Sequence, residues 1–240
     1  MKSIITIRIS ALAGLMFIPC ICIIQLYAQS IPIGLHYGSG SPEAQFKAAD
    51  QSLMVMPTAY TMPKGSSSFT DYELVVVQYA YAYTDRAHIS AAMVFPVQAE
   101  MLKTFTIGIK QNYYRGSPVQ SAAIISYNPD SRLFFMGNVV SVGNAKASVH
   151  GAIFGGTDFS EAPEDYVLMA GGIVSLSPSM ALISEIISTS STLDEEGNGI
   201  ITLGVRFKGD KMSWDIGGFR LLKDNPEIFL LPLLKATVRF

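Results

Sequence analysis

Apolar residues return at every second position along most of the chain after about residue 50. Between residues 104 and 113, one face carries Phe105, Ile107, Ile109 and Tyr113, and the other carries Thr104, Thr106, Gly108, Lys110 and Asn112. Residues 201–208 repeat this arrangement. A helix would bring apolar residues back at spacings of three and four, so the pattern predicts β-strands with one apolar and one polar face.

The polar face of these segments is rich in glycine, threonine, lysine and arginine, which suits a crowded polar interior. In a soluble sandwich, the apolar face would lie inside and the polar face in water. Alternation in segments of about ten residues is typical of strands that cross a membrane. The sequence therefore predicts an all-β fold, a transmembrane antiparallel up-and-down β-barrel with its apolar face towards lipid.

Twelve alternating segments can be counted, an even number, as in bacterial single-chain barrels. Their predicted bounds are 52–60, 69–83, 87–96, 102–114, 119–127, 132–142, 147–154, 166–176, 180–190, 199–208, 212–222 and 228–240. Ten strands is the alternative, because residues 137–156 are rich in glycine and difficult to divide. Short turns alternate with longer polar loops, which predicts that residues 62–68 form the first outer loop.

The N-terminus has the features of a cleaved signal peptide over residues 1–28, with Lys2 and Arg8 before an apolar stretch. A retained membrane helix, or a lipid anchor at one of the two cysteines, is the alternative. Residues 29–50 are rich in Gly, Ser and Pro and are predicted to be a flexible lead-in. The barrel is then expected over residues 51–240.

Composition agrees with a secreted membrane barrel. Both cysteines, Cys20 and Cys22, lie inside the predicted signal peptide, so the mature chain would contain no disulfide. A closed barrel stabilises such a chain because its backbone donors and acceptors pair around the ring. The net charge of −2 provides no basic field for nucleic acid.

The last strand supports the same location. Residues 234–240 alternate and end in Phe240, with Lys235 and Arg239 on the polar face. A final strand ending in phenylalanine resembles the C-terminal signal that the barrel-assembly machinery recognises in outer-membrane proteins. We therefore expect the cell outer membrane as the location.

Several segments carry a wider resemblance. Residues 53–59, 63–65 and 69–74 resemble the opening hairpin of a family of Bacteroidetes-type small single-chain outer-membrane β-barrel proteins, and residues 83–86 resemble their first periplasmic turn. Later matches lie at residues 184–185, 204–207 and 214–217, so the resemblance covers about residues 53–240. It implies fold and location, and it brings no catalytic residues with it.

Motifs for catalysis and metal binding are missing from the sequence. There is no phosphate loop, no His-Glu-x-x-His and no cysteine pair for a metal. Of the three histidines, His88 has the candidate nucleophile Ser90 two residues away on the same strand face. We therefore predict no catalytic residue, no metal site and no cofactor.

The inward charges of the last four predicted strands are the candidate functional residues. Alternation places Glu185, Arg206, Asp215, Lys235 and Arg239 in the lumen. Opposite charges on neighbouring strands are expected to pair, because unpaired charges inside a narrow barrel are costly. Such a lumenal charge cluster is either a clamp that fills the barrel or a charged constriction in a pore.

The sequence favours a narrow porin-like channel or a structural membrane protein without catalytic chemistry. A surface binding or adhesion barrel is the alternative, suggested by acidic loops, and a barrel lipid hydrolase or protease has only His88 in its favour. The expected partners are outer-membrane lipid, lipopolysaccharide, the barrel-assembly machinery and a small solute or ion, and not nucleic acid.

Overall fold

The computed structural model describes residues 47–95, 98–144, 146–158, 166–190, 199–222 and 231–240. The predicted signal peptide lies outside the described residues. The strands are β1 (Ser67–Tyr72), β2 (Val76–Thr84), β3 (Ala87–Val94), β4 (Thr106–Arg115), β5 (Val119–Asn128), β6 (Leu133–Gly143), β7 (Ala147–Thr157), β8 (Tyr166–Ser177), β9 (Met180–Thr189), β10 (Gly199–Phe207), β11 (Met212–Leu221) and β12 (Leu231–Arg239).

These strands form one closed antiparallel barrel. Each strand pairs with its neighbours in sequence, and β1 closes the ring by pairing with β12. The predicted twelve-stranded barrel is confirmed, and the ten-stranded alternative is wrong. No helix in the described part of the chain is long and apolar enough to cross a membrane.

The two faces of the strands have the predicted orientation. On β10, Leu203 points outward and is 51% exposed, whereas Thr202 and Arg206 point into the lumen and are each 1% exposed. On β4, Ile107 and Ile109 are exposed in the same way. An apolar exterior around a ring of paired backbone groups is the architecture of a transmembrane β-barrel.

The predicted strand 69–83 is in fact a hairpin. β1 ends at Tyr72 and β2 begins at Val76, and the turn between them holds Glu73 and Leu74 at φ of 57° and 59°. The Asp71 carboxylate accepts a hydrogen bond of 3.0 Å from the backbone N–H of Leu74 and supports the turn. The sequence concealed this turn because it contains no Gly, Pro or Asn and apolar residues continue through it.

The predicted first strand, residues 52–60, is not a strand. Residues 47–62 lie inside the barrel, and we call this segment the lumenal plug. Its only bridge pairs Ser52 with Pro57, and Leu53, Met54 and Met56 are at most 2% exposed. A continuous apolar run fits a fully buried segment as well as a strand, which explains the error. Residues 47–50, at the end of the predicted lead-in, lie in the plug.

One end of the barrel, which we call the turn end, carries short connections between the strands. These are residues 85–86, 116–118, 144–146, 178–179 and 208–211. The remaining strand connections lie at the opposite end, which we call the loop end. Residues 63–66, predicted as part of an outer loop, lie at the turn end. There the Gly65 N–H donates to Ala82 O at 2.8 Å and the Lys64 N–H donates to the Asp85 carboxylate at 2.9 Å. Residues 47–62 enter the lumen and do not cross the membrane as a strand. Residues 63–66, which follow them, therefore lie at the turn end.

The loop end is partly covered from inside. The connection between β3 and β4 contains a 3-10 helix, Ala99–Thr104. Its Met101 packs against the buried lumenal side chains Tyr72, Val76 and Val94. The helix therefore contacts the lumenal side chains at the loop end through Met101, whereas the plug enters the lumen from the turn end.

Candidate functional site

Three of the predicted lumenal charges form a row across neighbouring strands. Strand register places Arg206 opposite Asp215, and Asp215 opposite Lys235. Arg206 Nε and Nη2 each lie 2.7 Å from a different oxygen of Asp215, and Lys235 Nζ lies 3.4 Å from Asp215 Oδ2. All three residues are at most 1% exposed. The fork-shaped contact fixes the arginine in the wall, while one carboxylate faces two cations.

Both cations of this row also bind the main chain of the lumenal plug. Arg206 Nη1 donates to Ala49 O at 2.7 Å, and Nη2 donates to Ser52 O at 2.5 Å and to Leu53 O at 3.1 Å. Lys235 Nζ donates to the hydroxyl of Ser52 at 2.5 Å and to Leu53 O. The positive charge that Asp215 does not balance is therefore directed at carbonyl oxygens of the plug.

Glu185 binds the next part of the plug as a hydrogen-bond acceptor, whereas Arg206 and Lys235 act as donors. Its carboxylate accepts hydrogen bonds from the N–H of Val55 at 3.0 and 3.1 Å and from the N–H of Met56 at 2.8 Å. The hydroxyl of Thr202 on β10 donates to the same carboxylate at 2.6 Å. Among the described contacts, Glu185 makes no hydrogen bond to Arg206. It anchors the plug from a position outside the charged row.

The fifth predicted charge, Arg239, lies towards the turn end. Its backbone N–H donates to Lys211 O at 2.7 Å, and its side chain is half-buried. The next residue, Phe240, is 73% exposed and exchanges two backbone hydrogen bonds with Ser67 at 2.9 and 3.2 Å. The structure thus divides the predicted cluster into a row of three, one plug anchor and one rim residue. An assembly role for Phe240 stays a prediction.

A niche in the wall accepts one side chain of the plug. A Cβ atom at Gly204 would lie 2.4 Å from the sulfur of Met54, and one at Gly217 would lie 2.8 Å from Met54 Cε. At Gly171, a Cβ would lie 2.7 Å from Cδ1 of Leu53. Real Cβ atoms do not come this close to neighbours, so the plug can pack here only because the wall residues are glycines.

We call Glu185, Arg206, Asp215 and Lys235 on β9–β12 the charged wall. Facing the plug from β5–β9 is a second surface, the apolar wall, formed by Ala122, Ile124, Val139, Phe154, Met169, Ile173, Ala181, Ile183 and Ile187. It forms one cluster with the apolar residues of the plug. The lumen is therefore not polar throughout, because the plug supplies an apolar partner inside the barrel.

A chain of hydrogen bonds holds the second half of the plug. The Ala59 N–H donates to Ser141 Oγ at 2.8 Å, and the same hydroxyl lies 2.9 Å from His150 Nδ1. His150 Nε2 lies 2.8 Å from Ser148 Oγ, so the ring bridges two hydroxyls, each of which can donate or accept. Tyr60 meets the His150 ring edge-on, with centroids 6.3 Å apart. His150 was not among the predicted site residues, because glycines surround it in the sequence.

The N-terminal end of the plug is held at the turn end of the barrel. Lys47 forms an ion pair with Asp210, and the Ala48 N–H donates to Gly209 O at 3.1 Å. The carboxylate of Asp50 accepts a hydrogen bond of 2.8 Å from the Lys47 N–H. Burial raises the pKa of Asp50 from 3.8 to about 6, against the opposing effect of that hydrogen bond and nearby cations.

The C-terminal end of the plug is held at the same end of the barrel. The Thr61 hydroxyl donates to Asp85 O at 2.6 Å and accepts from Arg115 Nη2 at 2.8 Å. Both termini of the plug therefore leave the lumen on the turn side, and the segment between them enters the barrel and returns.

His88, the residue behind the enzyme alternative, is fully buried in the lumen wall and lies opposite Lys110 in the strand register. Ser90 shares its face and lies opposite Gly108. Within the described ranges, no group of three or more His, Cys, Asp or Glu residues could hold a metal ion. The site that the structure does define is the contact between the plug and its two walls.

The sequence contained two signals for this site that the strand pattern concealed. The run Leu53-Met54-Val55-Met56 is apolar at every position, unlike the alternating strands that follow it. Glycine also occupies lumen-facing positions of both β10 and β11, where side chains would otherwise fill the barrel. Together, they indicate a buried segment and a wall with room for it.

No family model and no curated protein matches the sequence. Among solved structures, a mutant of Rh. blastica porin is similar at a TM-score of 0.40 and 10% identity, covering 69% of this chain and 55% of that one. The outer membrane protein Omp33 of Acinetobacter baumannii is similar at a TM-score of 0.42 and 11% identity, covering 73% and 96%. KdgM porin in complex with disordered oligogalacturonate is similar at a TM-score of 0.46 and 7% identity, covering 72% of this chain and 96% of that one. The chain thus spans just over half the length of the Rh. blastica porin.

Proposed function

We propose that the protein is a small outer-membrane channel, without catalytic chemistry, that its own lumenal plug closes. A small solute or ion passes when the plug shifts from the lumen. The observation that carries this proposal is the set of hydrogen bonds from Arg206, Lys235 and Glu185 to the plug. These charged side chains bind a segment that lies in the lumen and is not a strand of the barrel sheet.

The barrel wall is complete without the plug, which supports movement of the plug. All twelve strands pair around the ring, and the plug contributes no strand to it. Displacing the plug therefore breaks none of the hydrogen bonds that close the barrel. The row of Arg206, Asp215 and Lys235 would keep its internal pairing, and water could solvate the remaining charge.

A second candidate is a structural membrane protein whose plug is a permanent core. The apolar wall favours it, because its side chains pack with the plug as they would in a soluble protein interior. The two candidates differ in one measurable property, the conductance of the lumen.

Single-channel recording in planar bilayers tests the proposal. We expect brief openings from the wild type and their loss when Ala59→Cys and Ser141→Cys tether the plug to β6, since the Ala59 N–H lies 2.8 Å from Ser141 Oγ. Reduction of the disulfide should restore the openings, and each single cysteine variant serves as a control. Silence from the wild type and from a variant with a weakened anchor, Arg206→Ala, would favour the structural role.

We further propose that the chain is a small Bacteroidetes-type barrel protein of the outer membrane, with lipid and lipopolysaccharide around its exposed apolar belt. Its barrel would be inserted by the assembly machinery through β12 and the Phe240 that follows it. Removal of Phe240 should reduce the amount of assembled barrel in outer-membrane fractions. N-terminal sequencing of that material should begin near Gln29, and an intact Met1 would contradict the cleaved signal peptide.

A further inference from the structure

The contacts between the charged wall and the lumenal plug go mainly to the main chain of the plug. Arg206 and Lys235 donate to carbonyl oxygens of Ser52 and Leu53, and Glu185 accepts from backbone N–H groups. The hydroxyl of Ser52 is the one plug side chain that these three wall residues bind among the described contacts. Cations at carbonyls and a carboxylate at amides form a pattern that any peptide backbone can satisfy.

The side-chain contacts beside this pattern select apolar residues. Met54 fills the niche over Gly204 and Gly217, and Leu53 packs over Gly171. The niche floor has no side chains, so its depth suits a long flexible side chain such as methionine. The wall therefore has two kinds of complementarity, for an amide backbone and for large apolar side chains.

We propose that this part of the lumen is a peptide-binding site, which the plug occupies in the closed state and a short apolar peptide occupies when the plug is displaced. This inference rests on the proposed function, since it names the class of solute that the channel admits. A solute without amide donors would leave Glu185 without the two N–H groups that it now binds, and an unsatisfied buried carboxylate is costly.

Binding of a labelled peptide to the full chain in micelles tests the proposal without any need for current. The probe is Ser-Leu-Met-Val-Met-Pro, the sequence of residues 52–57, followed by fluorescence anisotropy. The Met54→Asp variant places a carboxylate over the niche and should release the plug while every wall residue stays native. We expect this variant to bind the peptide at least about tenfold tighter than the wild type, whose own plug competes.

Two matched controls address the mechanism. A peptide N-methylated at its valine and second methionine lacks the two amide donors for Glu185 and should bind about tenfold more weakly. The wall substitution Glu185→Met, which removes both acceptor oxygens and is combined with Met54→Asp, should weaken the unmodified peptide by a similar factor and abolish its advantage over the N-methylated one. If Met54→Asp does not fold, Met54→Ala empties the niche without a buried charge.

Three results separate this inference from the gating proposal. Peptide binding without current from any variant supports the site and contradicts the channel. Current from the plug variants without peptide binding overturns the site and leaves the channel. Equal binding of the N-methylated and unmodified peptides overturns the assignment of Glu185 and therefore the peptide site itself.

Discussion

The two walls of the lumen hold the same plug by different physical means. The apolar wall contributes fully enclosed side chains such as Phe154 and Ile183, which are at most 1% exposed. Its attraction grows with buried area and has no preferred direction. The charged wall instead places Arg206 and Glu185 within 2.5 to 3.1 Å of particular backbone atoms. Those contacts are directional and weaken steeply when the geometry changes.

The difference assigns separate tasks to the walls. Apolar packing stabilises any suitable segment in the lumen and tolerates small shifts along it. Hydrogen bonds to charged groups determine the position of the plug, because each one requires a particular backbone N–H or carbonyl at a fixed distance and direction. We therefore expect the charged wall to respond strongly to small chemical changes and the apolar wall to respond mainly to changes in volume.

The largest expected effect follows removal of Arg206. Arg206→Ala removes the donor to the carbonyls of Ala49 and Ser52, and it leaves Lys235 as the remaining donor to Leu53 O and the remaining cation beside Asp215. Breaking a buried pair typically costs about 3–5 kcal/mol, so the free energy of unfolding in urea should fall by that amount.

The matched control for this substitution is Arg220→Ala on the exposed face of β11. Surface changes usually alter stability by less than about 0.5 kcal/mol. If the two arginine variants unfold alike, the charged wall does not anchor the plug.

Conservative substitutions compare the walls more directly. Arg206→Lys keeps the charge but loses the fork that reaches both oxygens of Asp215 and the plug carbonyls, and should cost about 1.5–3 kcal/mol. Ile183→Leu conserves volume in the apolar wall and should cost less than about 1.5 kcal/mol. Urea midpoints of the two variants measure the contrast. A larger loss for Ile183→Leu would reverse the roles that we assign to the walls.

The glycine niche predicts a smaller, rescuable effect. Gly204→Ala places a Cβ 2.4 Å from the sulfur of Met54 and 2.9 Å from Ile216 O, and overpacking of this kind costs about 1–3 kcal/mol. Met54→Ala in the same chain should recover part of the loss. Gly151→Ala is the control, since a Cβ there meets no atom within 4 Å. Strictly additive effects of the first two substitutions would show that they do not touch.

The smallest expected effect is on pH dependence. The pKa of Asp50 is raised to about 6 in the docked plug, so the docked state favours the protonated carboxyl. Docking is therefore strongest below pH 4 and weakens as the pH rises from about 4 to 6. We expect the ratio of open to docked plug in bilayers to increase by roughly tenfold to thirtyfold over this range, which is about 1.4 to 2 kcal/mol. Asp50→Asn should flatten the profile, and an unchanged profile would remove Asp50 from the docking equilibrium.

The sequence by itself determined the barrel. Period-two alternation is a local property of a strand, so it predicted which side chains of β4 and β10 face lipid and which face the lumen. It also placed Arg206, Asp215 and Lys235 inside on three successive strands. Neighbouring antiparallel strands bring such residues together without further information.

Only the tertiary structure decided what fills the barrel. The run of residues 53–56 is apolar at every position, and local pattern cannot distinguish a buried strand from a segment packed inside a ring. Which of the two forms depends on closure of the barrel by β1 and β12, a pairing between residues far apart in sequence. The partner of Glu185 was hidden for the same reason, because its hydrogen bonds reach backbone atoms about 130 residues away, and backbone atoms carry no sequence signal.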